Sequence, residues 1–159
     1  MKTINKSDNV VSGITKLYVS PVQNYIAIEN GILRVKTDQL LYKLNFANDS
    51  CNIETDRSDG YNSSLFSASV SGFIPGLSEQ AVKLLTEIAS YRLFIIYFED
   101  NINPKIFGNK NSGFIFSFTE YTGNNDSKGY KFNLEGTFIN PARTIQPDVL
   151  YLSDFIIKL

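Results

Sequence analysis

The sequence predicts a mostly β, α+β fold: an antiparallel β-sandwich or barrel-like sheet flanked by one α-helix over about 78–91. Three observations carry that prediction. Short β-prone runs with period-two alternation recur from residue 13 to residue 139, the spacing that puts alternate side chains on opposite faces of a pleated strand. Turn signals such as Asn30-Gly31 and Pro75-Gly76 divide the runs and favour tight reversals of the backbone. One segment, at 78–91, switches to the 3.6-residue period of a helix. A chain of 159 residues suits one domain, which at this size buries about 68–70% of its unfolded surface.

Residues 1–10 read as a flexible N-terminal arm, residues 11–142 as a single β-rich domain, and residues 143–159 as a C-terminal tail or final strand. A first strand is expected over 13–20, where Ile14, Leu17, Tyr18 and Val19 are β-favouring; Pro21, lacking an N–H, ends it. Between 25 and 46 the Asn30-Gly31 pair separates Ile26 and Ile28 from Ile32, Leu33 and Val35, and Leu41, Tyr42 and Leu44 follow. Two or three antiparallel strands are expected there. Residues 47–64 change character: Asp49, Glu54, Asp56 and Asp59 face only Arg57, a net charge of −3. This predicts a long exposed loop or a protruding hairpin that touches something outside the domain, because structureless loops beyond about 12–15 residues are uncommon.

Residues 65–74 alternate as a strand, with Phe66, Ala68, Val70, Gly72 and Ile74 on one side. Ser78 is the N-cap candidate of the helix, Leu77 and Val82 stand at staple positions, and Ala81, Leu84, Leu85 and Ile88 make one apolar stripe. Residues 93–98 form a continuous apolar run, the pattern of a central strand covered on both faces. A polar connection over 102–112 holds the short pair Ile106-Phe107, and the alternating runs 114–119 and 130–139 read as a hairpin around the loop at 122–129. The tail is apolar to its last residue, so Leu150, Leu152, Phe155 and Ile157 must dock, either as a final strand of their own sheet or on a neighbouring subunit.

Composition removes much familiar chemistry. There is no His and one Cys, Cys51, which excludes histidine-based triads, Cys–His nucleophiles and His/Cys zinc sites. No GxxxxGK[ST], GxGxxG or GxSxG string occurs. Glu99, Asp100, Glu120 and Glu135 lie on or beside strands, where paired carboxylates could serve a glycosidase, yet nothing sets their separation and solvated strand ends are the default. The 56–60 stretch lacks the alternating oxygen ligands of a calcium loop. No enzyme, cofactor or metal is therefore expected. Fifteen Lys and Arg against sixteen Asp and Glu give no global pull toward nucleic acid or an anionic membrane. The polar start and the lack of a long apolar run predict a soluble chain made in a cytoplasm. Eleven Lys against four Arg, with abundant Ile, Asn, Phe and Tyr, suggest an AT-rich coding sequence, from a low-GC bacterium or a virus of one.

With the elements in place, their order and several strings resemble small virion proteins of phages and prophages of Bacteroidetes, of the tail-tube or head–tail joining type. The strings are Gly72-Phe73-Ile74-Pro75-Gly76, Tyr91-Arg92-Leu93-Phe94-Ile95, Glu99-Asp100, the isolated Gly108, and the eight residues from Gly129 to Gly136. The resemblance runs from about residue 13 to residue 142 and brings no catalytic residues with it. It implies a protein of the virion, assembled in a bacterial host cytoplasm. Copies would close into a hexameric or dodecameric ring around DNA that passes without specific binding, beside neighbouring virion proteins and without a membrane. The loop residues Asp49, Glu54, Asp56, Arg57 and Asp59 would then line the lumen or a ring-to-ring contact, since a negative wall repels phosphate. Residues Leu150, Leu152, Phe155 and Ile157 would be the candidate inter-subunit tail. The alternative is a β-sandwich binding or decoration module, fibre or capsid-associated, whose loops recognise a surface partner.

Overall fold

The computed structural model describes residues 13–29, 31–35, 41–59, 64–99, 103–123, 128–145 and 156–158. Twelve strands and one α-helix are present among them: β1 (Lys16–Pro21), β2 (Tyr25–Glu29), β3 (Ile32–Val35), β4 (Leu41–Leu44), β5 (Asn52–Asp59), β6 (Ser64–Pro75), α1 (Glu79–Ala89), β7 (Arg92–Phe98), β8 (Pro104–Phe107), β9 (Phe114–Thr122), β10 (Lys128–Phe138), β11 (Arg143–Thr144) and β12 (Ile156–Lys158). The expected mostly β, α+β architecture with one helix is the one observed. Ten strands join in one sheet of order β12-β4-β1-β7-β9-β10-β6-β5, with β8 and β11 branching from β7, and β2 and β3 form a separate hairpin. The large sheet stays open and does not close into a barrel, ending on β12 at one side and β5 at the other.

β7 explains the layering. Its alternate residues serve two cores: Leu93, Ile95 and Tyr97 join Leu85 and Ile88 of α1 on the inner face. Phe94, Ile96 and Phe98 join Tyr18, Tyr25, Leu41, Ile106 and Ile145 on the outer one, with Ile28 and Leu33 of the β2–β3 hairpin packed against them. A strand buried on both faces has no room for polar residues, which is why 93–98 is apolar without interruption. Along β9, β10 and β6 only one face is buried, so Phe114, Phe116, Phe132, Leu134, Ala68 and Val70 alternate with exposed or half-exposed residues. The helix forms where expected: Ser78 Oγ accepts from Ala81 N at 3.1 Å, and Leu85 and Ile88 are fully buried. Burying each contributes about 1.5–3 kcal/mol.

Two segments depart from the loops expected of them. Of the stretch 47–64, residues Asn52–Asp59 are a strand paired antiparallel with β6, so the hairpin alternative is the one adopted. Its polarity misleads because β5 is the last strand of the sheet among the described residues, with Glu54 and Asp56 in solvent and only Ile53 half-buried on the core side. The connection at 102–112 likewise contains β8, paired with β7, whose Ile106 is buried in the outer core and Phe107 in the inner one. Two apolar residues suffice for a strand when a neighbour already offers its edge. At the C-terminus, β12 runs parallel to β4 with Ile157 opposite Tyr42 of the same chain. Leu150, Leu152 and Phe155 lie outside the described residues, as does the arm at 1–10.

Candidate functional site

The β2–β3 hairpin covers the outer face only over the β1–β7 side. Among the described residues no element covers the outer face of β9, β10, β6 and β5, and register builds a row across it. Glu54 of β5 lies opposite Ser69 of β6, Ser69 opposite Glu135 of β10, Glu135 opposite Ile115 of β9, and Ile115 opposite Arg92 of β7. A second row sets Asp56 beside Ser67 and Ser67 beside Thr137. These side chains line a shallow concavity of about 490 Å³. Neighbouring strands lie roughly 4.8 Å apart, so Glu54 and Glu135, two strands apart, stand roughly 10 Å from each other across Ser69.

Hydrogen bonds hold part of this face in place. Asn133 Nδ2 donates to Glu135 Oε1 at 2.7 Å, and Ser69 Oγ donates to Asn133 Oδ1 at 3.1 Å. The carboxylate of Glu135 is thus steered by its own strand. Three carboxylates, Glu54, Asp56 and Glu135, oppose one guanidinium, Arg92, around the half-exposed Ile115. Such a surface attracts cations and hydroxyl-bearing groups and repels phosphate. A smaller hollow of about 270 Å³ lies at the helix start, between Asn45, Ile74 and Leu77. Tyr130 closes its neighbourhood, its hydroxyl accepting from Ser78 N and donating to Ser78 O.

The loop residues singled out in the sequence divide. Glu54 and Asp56 come together on the open face and meet Glu135, whereas Arg57 has the opposite parity and pairs in register with Phe66. Asp59 is the last residue of β5, opposite Ser64. Asp49 occupies a turn with φ of 62° and does not line the concavity. Glu99 is tied to Lys105 at 3.0 Å, Glu120 is exposed on β9, and Asp100 lies outside the described residues. Arg92, Ser67, Ser69 and Thr137 were not anticipated. Their membership depends on cross-strand register, for which period-two alternation gives the face and not the neighbour.

Cys51, Tyr42 and Tyr97 hold their protons more tightly than they would in water. Burial pushes the Cys51 thiol up to about 12, which leaves no reactive thiolate near neutrality. Tyr42 and Tyr97 are also raised by burial; the first donates to Glu87 Oε1 at 3.0 Å, and the second feels the nearby Glu99 charge. Among the described residues no group of three or more His, Cys, Asp or Glu could hold a metal ion, and no helix is long and apolar enough to cross a membrane. Comparison of this chain with protein-family models, curated proteins and solved structures finds no match.

Proposed function

We propose that the chain is a non-catalytic structural subunit, of the phage virion type that its sequence resembles. Copies would assemble into a ring with the open face of β9, β10, β6 and β5 turned toward passing DNA. The observation that supports this reading is the charge of that face: Glu54, Asp56 and Glu135 against Arg92 around one shallow concavity. Facing a polyanion, carboxylates keep the wall from binding what must slide past it. The ring requires a heterologous contact whose rotation closes.

Native mass and negative-stain images test the assembly, with discrete rings and a central hole expected. A mobility-shift assay tests the face: rings of E54Q/D56N/E135Q should retain duplex DNA that the unaltered rings release. A lone protomer at high concentration would reject the ring, and unchanged DNA retention would reject the role of the charges.

A second reading rests on the shape of the same face. A concavity of about 490 Å³ with the exposed Ile115 in its lining also suits a binding or decoration module that recognises a polar partner such as a surface glycan. That protein stays monomeric or trimeric, and the mass measurement separates the two.

A further inference from the structure

We draw no further inference here: the strongest candidate, the hollow of about 270 Å³ at the start of α1 between Asn45, Ile74, Leu77 and Ala81, is a recess beside a helix N-terminus, and nothing in the structure shows what covers it.

Discussion

Gly72 lies directly opposite Phe132 in the β6–β10 ladder, and the aromatic ring occupies the space a side chain would take. A Cβ on Gly72 would fall 2.6 Å from Phe132 Cζ. Phe132 is itself buried and its ring lies beside that of Phe116, with centroids 5.9 Å apart. The glycine is therefore a packing requirement of the ring.

Replacing that glycine should overpack the inner core. Gly72→Ala is expected to lower stability by about 1–3 kcal/mol, read as a shift in the denaturant midpoint. Adding Phe132→Leu should return part of the loss, because the smaller side chain vacates the contested space. An unshifted midpoint for Gly72→Ala would show that the ring moves aside without cost.

The helix should depend on its stripe and cap far more than on its exposed face. Leu85→Ala removes a fully buried side chain and is expected to cost about 2–5 kcal/mol. Ser78→Ala removes the acceptor for Ala81 N and should cost about 1 kcal/mol. Lys83 is exposed, so Lys83→Ala should stay within about 0.5 kcal/mol. Thermal melts of the three variants give the ranking.

Alkaline pH should weaken the fold through Cys51. Its thiol rises from 9.0 to about 12 on folding, so the native state holds the proton more tightly than the unfolded one. Stability from this group is complete below pH 9 and is lost between pH 9 and about 12, at up to about 1.4 kcal/mol per pH unit. The raised Tyr42 and Tyr97 act in the same direction above pH 10. Denaturation series across this range should show a shallower decline for Cys51→Ala. A thiol reagent should label the native protein only as fast as it opens.

The ion pair of Lys105 with Glu99 stands at the surface, each side chain about a third exposed. Lys105→Met should therefore change stability by no more than about 1 kcal/mol, and added salt should shrink the difference further. A larger, salt-insensitive loss would mean that the lysine stem, not its charge, matters to β8.

What the sequence makes legible tracks how many faces of an element are buried. β7, buried on both, shows as an unbroken apolar run; β6, β9 and β10, buried on one, show as alternation; α1 shows by its stripe and by Ser78. β5 carries mostly polar side chains and hides among loop residues, although its backbone is tied to β6 along its whole length. The open face was half legible for the same reason. Glu54 and Asp56 stood out as acids, and Glu135 as a strand carboxylate. Their meeting with Arg92 needs the order of the strands, set by contacts between distant parts of the chain.

The branch point at β7 also governs how the molecule comes apart. The same seven residues carry β1 along one side and share the other between β8 and β9, while their side chains anchor the helix and the small hairpin. No subset of strands can peel away through this point and leave a finished remainder. Heat or denaturant should produce one concerted transition, with the amides of β7 among the last to surrender their protons to solvent.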